Sequence, residues 1–270
     1  MRGSLSYIIA LLIAGFSLLT YWCKREKNEV TGEMQHVDMT TEQEIALGLQ
    51  AAPEMARQYG GLHADQQAAS RVKEIGQQIV SRTKAGGTPY QFDFHLLADE
   101  NTVNAFALPG GQVFITAGLL KNLQTEGQLA GVLGHEIGHV VARHSAEQIA
   151  KSKLTQGLTG AAAIAVYDPD RPSTAAGAAA AAMIGKLMTL KYGRDDELES
   201  DRLAVRFTAE AGYDPSSMIQ VMEILAQASG GSRSGVDFFQ THPNPDNRIG
   251  EIQTAIQNEY PNGLPAGLIK

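Results

Sequence analysis

Between Leu129 and Ser145 the chain reads LAGVLGHEIGHVVARHS, and no other stretch constrains the fold as tightly. Leu129, Val132, Leu133, Ile137 and Val140 recur at helical spacing, which predicts a helix over about Thr125–Lys151 with its apolar face toward a core. His135, Glu136 and His139 interrupt that apolar surface, and ionisable groups placed there are costly without partners. Positions i and i+4 share a helix face, so His135 and His139 aim two imidazoles at one point. Glu136 is turned by about 100° from His135 on a 3.6-residue helix, so it lies beside that point rather than in it. The pattern suits a metal held by two histidines, with a carboxylate set as general base for a metal-activated water. Gly134 and Gly138 weaken the helix but permit close approach of another backbone.

A catalytic zinc usually takes three protein ligands and keeps an open position. Cys23 is the only cysteine, so the remaining ligand must be histidine or carboxylate. The extended motif with a further histidine six residues after His139 fails, because Ala142 and Ser145 stand at its glycine and histidine positions. His144 falls five residues after His139 and, on a continuous helix, turns away from the metal face as a cap or surface residue. The segment DDELESDRLAVRF supplies the alternative. Glu197, Asp201, Ala204, Val205 and Thr208 share one face of its helical wheel, small and mostly uncharged beyond the first turn. Glu199, Arg202, Arg206 and Glu210 form another, a row of charges suited to water. Glu197 is therefore the expected third ligand. Asp201, one turn on, can accept a hydrogen bond from a ligating imidazole and fix its orientation.

The rest of the chain frames this site. A content of 43% hydrophobic and 19% charged residues fits a globular protein with a substantial core. A net charge of −7 gives no support to nucleic-acid binding. Leu5–Trp22 runs 18 residues without a charge, near the lower limit of a membrane-spanning helix. An uncleaved anchor over residues 1–23 is the favoured reading; a cleaved signal or a lipoprotein stands beside it, although Tyr21 and Trp22 are bulky for a lipid-attachment site. Flanking charge is too balanced to fix orientation.

Residues 24–40 are polar and aperiodic and read as a linker. Helices are expected from Thr41 and over about Ala64–Thr83. QFDFHLLAD reads as a strand, and NAFALPGGQVFITAGLL as strand, turn, strand and helix start. Residues 157–190 read as two small-residue helical stretches around a flexible loop, GGSRSG as a mobile loop, and THPNPDNR as a rigid turn into a last helix. The fold class is α+β, mostly helical with one small sheet, and the folded domain is expected over 41–270.

HEIGHVVARH, an ExxxD helix and a later THPxPxxR, in this order and preceded by NAFALPGG, resemble the gluzincin peptidases of family M48. The likeness spans roughly Thr40–Tyr260 and leans toward the BepA-like and LoiP-like bacterial envelope proteases. It implies a zincin-like fold and one zinc ion on His135, His139 and Glu197. Glu136 would be the general base and acid, and Asp201 would steady a ligand. It further implies that Asn104, Ala105, Phe106, Ala107 and Leu108 form an edge strand on which substrate pairs through its main chain. His242 would approach the zinc or stabilise an oxyanion, and Arg248 would support the site by hydrogen bonding. From the residues alone, His242 could equally cap the next helix, and Arg248 could serve a plain ion pair. Implied partners are unfolded or misassembled envelope proteins and a membrane at the periplasmic side. The alternative function is a tethered, chaperone-like binding protein whose zinc site is structural or self-blocked.

Overall fold

The computed structural model describes residues 2–165, 186–187, 190–228, 238–243 and 247–270; in the first span, side chains are described from Tyr7 to Gln156 and at Leu158. Most of the small-residue region at 157–190 and the GGSRSG loop lie outside the described residues.

Helix α1 (Arg2–Cys23) leads into a hairpin of β1 (Arg25–Lys27) and β2 (Met34–His36). Helix α2 (Thr41–Gln58) starts at Thr40, whose hydroxyl accepts from Gln43 N while its own N–H donates to the Gln43 side chain. This reciprocal box satisfies two donors that a helix start leaves unpaired. Asp65 caps α3 (Gln66–Arg82) in a related way, and α3 buries Val72, Ile75 and Ile79 completely.

Three strands follow: β3 (Asp93–Leu97), β4 (Ala105–Ala107) and β5 (Gln112–Thr116), in the order β3-β5-β4. β3 runs parallel to β5 and β4 antiparallel to it, so β4 is an edge strand. After the short α4 (Ala117–Leu120) comes α5 (Glu126–Val141), buried over Gly127–Val141. A helix apolar on nearly every side belongs at the centre of a core, and α5 packs against α3, β4, α7 (Arg194–Glu210) and α8 (Ser217–Ala228). The contact with α7 is close because Gly138 faces Ser200; a Cβ there would stand 2.5 Å from the Ser200 hydroxyl. A short α9 (Phe238–Thr241) and α10 (Arg248–Glu259) complete the fold.

Two expectations change. The helix expected to run from Thr125 to Lys151 is two helices: α5 ends at Val141 and α6 (His144–Ala165) starts afresh. Arg143 makes the break in the left-handed region, at φ 59°. That conformation costs a non-glycine residue about 1–2 kcal/mol, and partners hold it there. The Arg143 guanidinium bonds Glu44 at 2.8 and 2.5 Å and Met39 O at 2.7 Å, and pairs with Glu26.

The second change concerns 24–40. Read as a polar linker, this segment folds as the β1–β2 hairpin against the end of α5. Asn28 Nδ2 donates to Val141 O at 2.8 Å and the Gln35 amide donates to Ala142 O. Those carbonyls have no helical partner, because a helix leaves its last four C=O groups free. The polar side chains that made the segment look like a linker are thus the caps of the central helix.

α1 packs along α6 and leaves Leu11, Leu12, Phe16 and Trp22 exposed. Among the described residues no helix is long and apolar enough to cross a membrane.

Candidate metal centre

α5 and α7 face each other across the middle of the core, and the chemistry sits in their contact. His135 and His139 point their Nε2 atoms at a common spot, 3.0 Å apart. Glu197, fully buried on α7, brings Oε1 to 3.3 Å from His139 Nε2 and Oε2 to 3.4 Å from His135 Nε2. His242, directly after α9, brings Nδ1 to 3.4 Å from His135 Nε2 and 3.0 Å from Glu197 Oε1. Ligands at about 2.0–2.1 Å around a tetrahedral ion stand about 3.3 Å apart. The four donor atoms, all within 4.8 Å of one another, are spaced accordingly. Nitrogen and carboxylate donors are a zinc-type set, so these residues fit the ion that the family resemblance implies.

Other groups fix the donors in place. Asp201 Oδ1 lies 2.9 Å from His135 Nδ1. Arg248 grips Asp201 through Nε at 2.7 Å and Nη2 at 2.8 Å, and its Nη1 lies 3.1 Å from Glu197 Oε2. Ser200 donates to His135 O at 2.5 Å, tying α7 to the backbone of α5. Tyr192 stacks on His139 with ring centroids 3.9 Å apart, and Phe238 stacks on His242 at 4.5 Å.

Glu136 stands apart. Both its carboxylate oxygens are buried and find no hydrogen-bond partner among the described residues; His242 Nε2 is 3.6 Å from Oε1. A buried, unpartnered carboxylate beside a ligand cluster is expensive to maintain unless a reacting group uses it. Burial pushes its pKa up, the direction that suits a general base and acid near neutral pH.

The surrounding charges sort the rest. Burial opposes ionisation of Glu197 and Asp201, but the groups that face them hold both carboxyls below the usual range: chiefly the His242 ring and then Arg248 for Glu197, Arg248 and then the His135 hydrogen bond for Asp201. His139 is held well below its ordinary value by burial, hence neutral. His135 is also disfavoured by burial, yet hydrogen bonds to Asp201 and Glu197 outweigh it and lift the imidazole to about 9.

The structure thus brings His135, Glu136, His139, Glu197, Asp201, His242 and Arg248 together. β4 lies nearby as an edge strand: Asn104, Phe106, Ala107 and Leu108 line a small cleft with Tyr192 and His242. Asn104 O accepts from Thr116 N and Leu108 N donates to Gln112 O. Antiparallel alternation therefore turns the N–H and C=O groups of Ala105 and Ala107 away from β5.

Sequence reasoning missed four residues. His144 does not turn away to the surface; it is buried with Nδ1 2.8 Å from His139 Nδ1. The break at Arg143 re-aims it. Glu199 does not simply face water; it meets His144 Nε2 at 3.1 Å with its side chain 17% exposed. No local signal marks the break, because arginine is a good helix former and the partners that hold Arg143 come from distant segments. Tyr192 and Phe238 carry no periodic signal, since Tyr192 precedes α7 outside any helix and Phe238 sits in a helix of only four residues.

The profile of Peptidase family M48 matches residues 66–256. The chain belongs to peptidase family M48. This M48 chain is 29% identical over 195 residues to the beta-barrel assembly-enhancing protease of Escherichia coli, covering 70% of this chain and 39% of that protein. It is 28% identical over 249 residues to the mitochondrial metalloendopeptidase OMA1 of Schizosaccharomyces pombe, covering 92% and 71% respectively. Metalloprotease YcaL of Escherichia coli is 28% identical over 202 residues, covering 70% and 73%. The M48 chain thus spans about two fifths of the assembly-enhancing protease that it matches.

Proposed function

We propose that the chain is a zinc-dependent endopeptidase, tethered by α1 at the periplasmic side of a bacterial membrane, that cleaves unfolded or misassembled envelope proteins. The peptidase domain is placed at 41–270, with residues 1–23 as the anchor and the hairpin of 24–40 between them. The observation that carries the reading is the unpartnered Glu136 carboxylate beside donor atoms at tetrahedral spacing.

His135, His139 and Glu197 would hold the zinc, which when bound supplies Lewis acidity that polarises a scissile carbonyl and acidifies water. Glu136 then takes the proton from the attacking water and delivers it to the leaving amine. Asp201, gripped by Arg248, keeps the His135 proton on Nδ1 and its Nε2 lone pair inward. Ala105 and Ala107 offer free main-chain groups to an extended peptide, which reads backbone more than side chain. Unfolded polypeptides are the substrates such a surface accepts, and the name of the Escherichia coli relative points to β-barrel assembly.

A self-blocked state has its own support. His242 Nδ1 lies within the same donor cluster as His135, His139 and Glu197, so it would compete with water for the zinc. The chain would then rest in a blocked form, and cleavage would require His242 to withdraw. The testing pair is Glu136→Gln and His242→Ala, assayed on casein. Glu136→Gln keeps stoichiometric zinc and loses cleavage; wild-type rates in that variant would refute the role given to Glu136. His242→Ala raises the initial rate; a lower rate instead makes His242 a transition-state group rather than a block.

A further inference from the structure

The two histidine ligands are oriented differently. His135 Nδ1 meets the Asp201 carboxylate directly, at 2.9 Å. Among the described residues, His139 Nδ1 meets no carboxylate. It faces the Nδ1 of a second imidazole, His144, at 2.8 Å, with ring centroids 4.9 Å apart and planes at 71°. His144 is 1% exposed, and its other nitrogen lies 3.1 Å from Glu199 Oε2.

The protons along this line follow from chemistry. Once His139 offers its Nε2 lone pair to a metal, its proton sits on Nδ1. His144 Nδ1 must then accept, which places the His144 proton on Nε2, and that N–H donates to Glu199. Every nitrogen and the carboxylate oxygen in the line acquires one defined role. We propose that His144 and Glu199 form a relay that positions the zinc ligand His139, matching through an intervening imidazole what Asp201 does for His135. The proposal rests on the zinc reading of the site.

Three further features support it. The relay exists only because Arg143 breaks the helix in the left-handed region; a continuous helix would carry His144 away. The break is clamped by Glu44 and Glu26 on two other elements. The β1–β2 hairpin also caps the end of α5 just before the break, through Asn28 to Val141 O and Gln35 to Ala142 O. Among the described residues the hydrogen bonds of His144 and Glu199 run to His139 and to each other, not to the expected substrate strand or Glu136, so they are positioning residues.

The test uses the full-length chain in detergent. His144→Phe keeps a ring but loses the acceptor, whereas His144→Asn puts a carbonyl oxygen where Nδ1 stood. Zinc affinity is read by competition with a chromogenic chelator, and the ligand field by the visible spectrum of the cobalt-substituted protein. Removing a partner that orients a ligand typically weakens metal affinity by about 10- to 100-fold; that loss, with an altered cobalt spectrum, is expected for His144→Phe. His144→Asn restores both toward wild type. Glu199→Gln weakens binding in the wild-type background and adds nothing once His144 is Phe. Melting in EDTA tells loss of fold from loss of ligand orientation. Wild-type affinity and spectrum in His144→Phe, or equal defects in the Phe and Asn variants, would overturn the relay. A wild-type chain that binds no zinc would instead overturn the zinc reading beneath it.

Discussion

Gly138→Ala is a one-methyl perturbation whose effect can be worked from the α5–α7 contact. The added Cβ would lie 2.5 Å from Ser200 Oγ, 3.1 Å from Ser200 O and 3.2 Å from Ser200 Cα. Ordinary contact begins at 3.4 Å, so the hydroxyl must move by about 0.9 Å and the α7 backbone by a few tenths. The hydroxyl cannot move freely, because it donates to His135 O at 2.5 Å. Overpacking of this kind costs about 1–3 kcal/mol, against a gain of up to about 1 kcal/mol from replacing glycine inside a helix. The net expectation is about 1–2 kcal/mol of destabilisation. Metal–ligand distances tolerate only about 0.2 Å, and the same shift moves Glu197 and Asp201 away from His135 and His139. Gly134→Ala is the control: its closest contact would be the Thr208 methyl at 3.1 Å, so propensity roughly offsets crowding. Denaturant unfolding in EDTA reads the packing cost, and chelator competition reads zinc affinity. Gly138→Ala loses on both, Gly134→Ala on neither, and Gly138→Ala/Ser200→Ala recovers part of the packing loss. Equal stability and zinc affinity in the two single variants would refute the reasoning.

Four further outcomes are expected. Arg248→Met leaves Asp201 and Glu197 buried without their cation and costs about 3–5 kcal/mol in denaturant unfolding, the usual loss when one partner of a buried pair is removed. Zinc binding at pH 7 releases a proton from His135, whose pKa stands at about 9 in the metal-free chain; calorimetry in buffers of different ionisation enthalpy detects it, and no buffer dependence would contradict it. Because burial raises the Glu136 pKa, the metal-free native state binds that proton more tightly than the unfolded chain. Stability is thereby lost as pH rises through the folded-state pKa, so Glu136→Gln is more stable than wild type at neutral pH in EDTA, and the difference closes below the ordinary carboxyl range. A chain beginning at Lys24 keeps the caps on α5, whereas one beginning at Thr31 loses Asn28 and Glu26; at about 1 kcal/mol per lost hydrogen bond, the shorter chain melts lower and binds zinc less tightly.

The sequence carried the site where local periodicity reported it. His135 and His139 share a face by spacing alone, and the wheel of α7 separated Glu197 and Asp201 from the charged row. Periodicity failed where the geometry is nonlocal. His144 was placed by extending α5 through Arg143, and only the anchors Glu44 and Glu26, from distant segments, make the left-handed break tolerable. Glu199 shared its wheel face with Arg202 and Arg206, but its neighbour is an imidazole from another helix. The 24–40 segment looked unstructured because its polar groups are used as caps, a role that leaves no pattern.

The cover over β4 has a consequence of a different kind. An edge strand with free N–H and C=O groups is a template for pairing with any exposed strand, including that of another copy. Here Leu187, Leu190 and Tyr192 stand with His242 in the cleft beside β4, and all three β4 residues are buried. The groups that cover β4 beside the donor cluster also keep the strand from pairing with another copy. Opening the cleft and exposing the strand to self-pairing are therefore one event, and a variant that uncovers β4 does both.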